Sequence, residues 1–258
     1  MSTSYFASYP SLKGMPVVIS GGASGIGESI VRNFAAQGSK VGFVDIAIEA
    51  GEKLAAELNA GGATVKFTEC NVKDVAAYQA AIRGFEAAHG PALALVNNAA
   101  HDERHDWAKV TPEFWDDRIA VNLKHAFFAA QAVLPGMIEA KRGSIINFGS
   151  ISWMILTGNL AAYTASKAAM HGLSRSLARD VGKHGVRVNT LVPGWIMTER
   201  QLTHWVDDAA AKLIDEQQAL AGRLYPDDIA RMALFLAADD SKMISAQDFI
   251  VDGGWAHG

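Results

Sequence analysis

Short, almost uninterrupted apolar runs alternate along this chain with longer segments of helical period, and that alternation leaves few folds open. The runs Val17–Ser20, Val41–Asp45, Thr64–Phe67, Leu93–Asn97, Ser144–Phe148, Val186–Val192 and Asp248–Val251 read as strands. A strand that is apolar at nearly every position must be covered on both faces, which is the condition of a parallel sheet between layers of helix. Helical patterns fill the intervals: Ile26–Gln37, Ile48–Leu58, Val75–His89, Pro112–Ala140, Leu160–Val181 and Pro226–Ala237. In the first of these Ile26, Ile30 and Phe34 fall on one stripe, and Gly38 follows as a C-cap. Pro112 and Pro226 stand at first helical positions, where a missing N–H costs nothing. The order predicts an α/β fold: one doubly wound sheet of seven parallel strands, right-handed crossovers, and helices on both faces. Ligands then bind beyond the carboxyl ends of the strands.

With 258 residues, half of them hydrophobic, the chain can bury the core of one such domain. That domain is expected over residues 13–258, after a loosely ordered lead-in over 1–12. Met1 to Pro10 has no basic start and no long apolar stretch, so it does not read as a secretory signal. No apolar run approaches the ~18 residues a membrane span needs. A net charge of −4 without a basic block gives no footprint for nucleic acid. The single Cys70 cannot form an internal disulfide, which fits a reducing cytoplasm.

The first strand runs directly into Ser20-Gly21-Gly22-Ala23-Ser24-Gly25-Ile26-Gly27. Glycines let backbone approach a pyrophosphate closely, and the helix that follows offers free amides and the positive end of its dipole. A glycine-rich turn alone is a weak signal; one between a first strand and a helix is much stronger, and it marks the fold as Rossmann-type. The second strand ends in Asp45, eighteen residues beyond Gly27. A carboxylate there accepts hydrogen bonds from ribose hydroxyls and repels a 2′-phosphate. No arginine or lysine stands at Ser24 or Ile46 to compensate, so the expected cofactor is NAD rather than NADP.

Tyr163 and Lys167 are four residues apart in a helical run and share one face. A phenol titrating near ~10 is a poor base at neutral pH, and an ammonium one turn away is expected to lower that value. Ser150 follows the strand Ser144–Phe148, where a carboxyl end opens onto the crevice. Each feature alone has an ordinary reading, as a helix pair or a turn serine.

Together these residues resemble the short-chain dehydrogenase/reductase family from Gly21 to Gly254. Its motifs stand in order: S-G-G-A-S-G-I-G, N-N-A-A over 97–100, V-N-L around Asn122, Ser150, the Tyr163/Lys167 pair, P-G-W-I-M-T over 193–198, and V-D-G-G. Ser20 stands where threonine is usual, Ala100 replaces a glycine, and Asn71 replaces an aspartate expected near the adenine. The resemblance implies Tyr163 as general base for oxidation. It implies Lys167 as the group that depresses the phenol and holds the nicotinamide ribose, and Ser150 as donor to the reacting oxygen. Asn122 would anchor a water relay, unless it caps a bend in its long helix. Asn98, Ala99, Pro193, Gly194, Trp195, Ile196 and Thr198 would flank the nicotinamide end. Gly21, Ser24, Gly25, Ile26, Gly27, Asp45, Ile46, Asn71 and Val72 would line the adenosine and pyrophosphate. The family also implies a homotetramer built on the two long helices. Ala126, Ala129, Ala130, Ala165, Ala168 and Ala169 would serve subunit contact or packing on the sheet.

The segments His101–Trp107, Ser150–Trp153 and Trp195–Trp205 are similar to those of bacterial aldose 1-dehydrogenases within that family. The implied reaction is oxidation of a pentose or 6-deoxyhexose, D-xylose-like, at C1 to the lactone. Hydroxyl-rich substrates want polar side chains and an aromatic face, so Ser150, Ser152, Trp153, Asn159, Tyr163, Arg104, Gln201 and Trp205 are the candidate sugar contacts. His101 and His105 have no third ligand nearby in sequence, so no metal is expected. The same catalytic residues would also serve reduction of a ketone or 3-oxoacyl group, and a non-catalytic NAD-binding regulator is a third reading.

Overall fold

The computed structural model describes residues 6–256. Seven parallel strands form one sheet in the order β3-β2-β1-β4-β5-β6-β7. They are β1 (Pro16–Ser20), β2 (Lys40–Asp45), β3 (Thr64–Glu69), β4 (Ala94–Asn97), β5 (Gly143–Phe148), β6 (Val186–Pro193) and β7 (Asp248–Val251). Every position of β1, β4 and β5 is buried, as two-sided cover requires. The helices are α1 (Gly25–Ala36), α2 (Ile48–Ala60), α3 (Val75–His89), α4 (Pro112–Ile119), α5 (His125–Ala140), α6 (Ala161–Val181), α7 (Glu199–His204), α8 (Asp208–Gln217) and α9 (Pro226–Ala237). One apolar layer packs α1 and α9 on the sheet through Ile30, Phe34, Ile229 and Leu234. The other packs α3, α5 and α6 on the opposite face through Tyr78, Ile82, Val133 and Leu177. Strand order reverses between β1 and β4, which parts the loops leaving their carboxyl ends and opens a crevice there.

Two expectations are corrected. The stretch Pro112–Ala140 is not one α-helix: Ala120–Lys124 forms a π-helical segment between α4 and α5. Of the expected loose lead-in, residues 1–5 lie outside the described residues and Phe6, Ala7 and Ser8 are exposed, but its last part is tied down. Pro10–Leu12 form a 3-10 turn with Leu12 fully buried, and Tyr9 N–H donates to Gln37 Oε1 at 2.8 Å. The stretch after Thr198 is helical, as α7 and α8. No helix among the described residues is long and apolar enough to cross a membrane.

Candidate active site

A cavity of about 1330 Å³ lies along the carboxyl ends of the strands. Every residue expected to hold the cofactor lines it. At one end Gly21 turns at φ +68°, and a Cβ there would sit 2.9 Å from Ala99 Cα. A Cβ on Gly27 would lie 1.7 Å from the Gly21 carbonyl oxygen, so the turn closes only without one. Ser24, the N-cap of α1, makes no side-chain cap, which leaves the first-turn amides without an internal partner. Asn98 Nδ2 ties this turn to β4, donating to the carbonyls of Ser20 (3.1 Å) and Gly21 (2.9 Å). Ser20 Oγ accepts from Ala99 N–H at 3.1 Å, so the hydroxyl at this position is in use. Asp45 Oδ2 accepts from Ala23 N–H at 2.9 Å and Oδ1 from Ala47 N–H at 3.0 Å, which fixes the carboxylate at the cavity wall beside exposed Ile46. Open amides, a close-packed glycine turn and a fixed carboxylate fit a dinucleotide.

Midway along the cavity stand Ser150, Tyr163 and Lys167. Ser150 caps a short turn, its Oγ accepting from Ser152 N–H at 3.2 Å, and hydrogen-bonds the Tyr163 side chain. Lys167 is buried, donates to the Phe148 carbonyl at 2.9 Å, and places Nζ 5.6 Å from the centre of the Tyr163 ring. The helix carrying both is anchored at its start by His105, whose Nε2 accepts from Ala162 N–H at 3.3 Å. Asn122 does not line the cavity. The π turn frees its buried side chain from the helix, and it clasps His101 by both backbone groups: Oδ1 accepts from the N–H (2.8 Å) and Nδ2 donates to the carbonyl (3.1 Å). Buried His125, one residue beyond the π segment, holds the Ala99 carbonyl through Nε2 at 3.1 Å. A carbonyl only accepts, so that nitrogen carries the proton. Burial first, and the Lys167 charge second, push its imidazole down to about 3.

The expected depression of the Tyr163 phenol is not met in this structure. Burial raises it, the Asp102 carboxylate adds to the rise, and the Ser150 hydrogen bond opposes them. Burial lowers Lys167 to about 8, with Asp102 working the other way. Loss of solvation outweighs the helical pairing.

At the third region the structure separates the expected sugar contacts. Ser150, Ser152, Tyr163, Arg104 and Gln201 line the cavity; Trp153, Asn159 and Trp205 do not. Trp153 turns its Nε1–H to His171 Nε2 at 3.1 Å, and His171 Nδ1 meets Asp248 at 2.9 Å. Asn159 is an exposed turn residue at φ +57° whose carbonyl accepts from His105 N–H at 2.8 Å. Trp205 lies beneath Arg104, whose guanidinium stands 4.3 Å from the ring centre. Residues not anticipated take their place. Trp195, expected at the cofactor, pairs its ring with Trp255 at 6.2 Å and donates Nε1–H to Gln201 Oε1 at 3.0 Å. Asp102, Arg200 and Trp255 complete this wall. Their sequence signal was thin, because a charged loop and a tryptophan near the end of a chain have many uses. His101 meets Arg118 and Glu103, and no group of three His, Cys, Asp or Glu residues among the described residues is placed to hold a metal.

Comparison with known proteins places this geometry. Residues 21–256 match the family described as Enoyl-(Acyl carrier protein) reductase. The chain is 42% identical to D-xylose 1-dehydrogenase of Caulobacter vibrioides over 96% of its length and 98% of the relative's. It is 41% identical to a probable galactose dehydrogenase of Rhizobium meliloti, covering 95% and 96% of the two chains. Among solved structures, a gluconate 5-dehydrogenase from Burkholderia cenocepacia in complex with NADP and tartrate superposes with a TM-score of 0.89 at 30% identity. That match covers 96% of this chain and 98% of the other.

Proposed function

This chain belongs to the short-chain dehydrogenase/reductase family and is an oxidoreductase acting on CH–OH groups, and from that premise we propose that it oxidises an aldose at C1 to the sugar lactone with NAD. The observation that carries the reading is one continuous cavity. It joins an uncapped helix start and Asp45 to the Ser150/Tyr163/Lys167 set, and that set to a wall of paired indoles and fixed polar groups. D-xylose 1-dehydrogenase and galactose dehydrogenase as relatives support a sugar in that third region. An acyl thioester would meet Asp102, Arg200 and Gln201 where it needs an apolar slot.

The pyrophosphate would rest on the open amides of α1, and the adenosine ribose against Asp45. The fixed negative charge at Asp45, beside the uncharged Ile46 side chain, favours NAD over NADP. Held there, a nicotinamide would supply the hydride acceptor that oxidation at C1 requires. Tyr163 takes the proton of the C1 hydroxyl, Ser150 hydrogen-bonds the same oxygen, and Lys167 supplies the positive charge that supports the phenolate. Asn122 would act behind them, holding the His101 backbone and the start of a proton path. Substrate orientation beside these groups is the protein's other contribution.

Exposed faces suit assembly into a homotetramer. Ala126, Ala129 and Ala130 are spent against the sheet, but Phe127 and Trp115 remain exposed on α5 and α4, and Ala165 and Ala169 on α6. The test of the function is initial rates of NADH formation with NAD or NADP and a panel of aldoses, secondary alcohols and 3-hydroxyacyl substrates. A pentose or 6-deoxyhexose oxidised fastest, with NAD preferred, is the expected result; turnover confined to alcohols or acyl substrates would refute the sugar reading.

A further inference from the structure

Asp102 is a carboxylate in the substrate region, beyond the motif residues of the chain. It lies in the loop after β4, lines the cavity, and its side chain is only 28% exposed. Both oxygens are held from the start of α7. Oδ2 accepts from Gln201 Nε2 at 2.8 Å, and Oδ1 meets Arg200 Nη2 at 3.2 Å. Gln201 is itself fixed by Trp195 Nε1–H. An ionised carboxylate offers about four acceptor sites. Two of them are taken by these partners, which leaves about two open, in an orientation set before any ligand arrives.

We propose that Asp102 is a specificity-determining residue that accepts hydrogen bonds from two neighbouring hydroxyls of the sugar. This rests on the proposed aldose reading and narrows it to substrates with a vicinal diol next to the reacting carbon. Three observations support it. The two open acceptor sites belong to one rigid carboxylate, so they lie close enough to serve adjacent hydroxyls. The Trp195–Trp255 pair adjoins Asp102 through Gln201 and gives the C–H face of a sugar ring an apolar surface. Asp102 lines the same cavity as Tyr163 and Lys167, and its charge raises both. Arg200 already balances that charge, so the wall accepts neutral donors and gives a free anion little to bind. A site built to bond a hydroxyl rejects an analogue that lacks it, because its buried acceptor is left without a partner.

A merely structural Asp102 would pin α7 to the β4 loop and affect every substrate alike, so the test compares substrates. For wild type and Asp102→Asn, kcat and KM are measured on the preferred aldose and on its 2-deoxy counterpart, with NADH affinity followed by fluorescence. The expected result is a loss of about 10- to 100-fold in kcat/KM on the intact sugar, chiefly through KM. On the 2-deoxy sugar, where one of the two contacts is already missing, the variant should lose less than on the intact sugar, only a few-fold, and NADH affinity should stay within about twofold. Arg200→Gln, which loosens α7 but leaves the carboxylate, should keep the preference for the intact sugar. Equal losses on both sugars, no loss on either, or the same pattern from Arg200→Gln would overturn the proposal. A wild type that oxidises no aldose would instead sink the parent reading. The same comparison on cyclohexane-1,2,3-triol against cyclohexanol would then decide Asp102 alone.

Discussion

Tyr163 is under two opposing influences, and which of them prevails decides how the reaction responds to pH. Burial and the Asp102 carboxylate raise its phenol, while Ser150 and the nearby Lys167 ammonium favour the charged form. The active base is the phenolate, so a raised phenol means too little base at neutral pH and a rate that climbs with pH. Lys167 keeps its charge up to about 8, above which its support fades. For oxidation, kcat/KM should therefore rise steadily from pH 6 toward pH 8 and flatten beyond; a profile level from pH 6 to 9 would speak against Tyr163 as the titrating base. Tyr163→Phe should lower kcat by about 10²- to 10⁴-fold, the usual worth of a general base, with NADH binding retained. Near-full activity in that variant would exclude the assignment. The positions of Ser150, Tyr163 and Lys167 in the cavity were legible because helical spacing and a strand end dictate where such side chains lie. Trp153 and Trp205 were not, because an indole's direction follows from its rotamer and its N–H partner. Neither leaves a mark in the sequence.

The strand–turn–helix unit from β1 to α1 is the element on which cofactor binding depends. Gly27 meets the Gly21 carbonyl so closely that one added methyl forces the turn open. Gly27→Ala should cost about 1–3 kcal/mol of stability by overpacking and weaken NADH binding at least tenfold. Gly84 in α3 is the control: a Cβ there meets nothing within 4 Å, and alanine suits a helix interior better. Gly84→Ala should leave NADH affinity unchanged and raise stability by about 0.5–1 kcal/mol. Fluorescence titration and urea unfolding measure both, and a Gly27→Ala enzyme that binds NADH like wild type would contradict this view of the turn. All seven strands were legible, with ends shifted by at most two residues, because runs so largely apolar have few other uses. The π segment was not: Ala120–Lys124 inserts into a run whose residues suit a helix throughout, and one widened turn barely alters the period. The helices α7 and α8 were not legible either, although both are capped. Thr198 accepts from Gln201 N–H at 3.3 Å and Asp207 from Ala210 N–H at 2.8 Å. Each helix is too short for its apolar period to stand out.

In the whole molecule, chemistry is placed by topology. The strand order reverses once, between β1 and β4, and the two loops that part there are the glycine turn and the segment from Asn98 to Asp106. β5 and α6 then bring Ser150, Tyr163 and Lys167 to the middle of the same crevice, and the segment after β6 closes its far end. The architecture was readable from alternation alone. The substrate wall was not, because it is assembled from segments 99 residues apart, as Gln201 and Asp102 show, and sequence spacing is silent on such meetings. The central claim is that hydride leaves C1 of an aldose for the nicotinamide while Tyr163 takes the hydroxyl proton. The most direct measurement uses D-xylose deuterated at C1, with mass and NMR analysis of the reduced cofactor and the sugar product. The account predicts a singly deuterated NADH, an equal amount of lactone, and slower turnover than with unlabelled sugar where hydride transfer limits the rate. Unlabelled NADH, or label retained in the sugar, would contradict it.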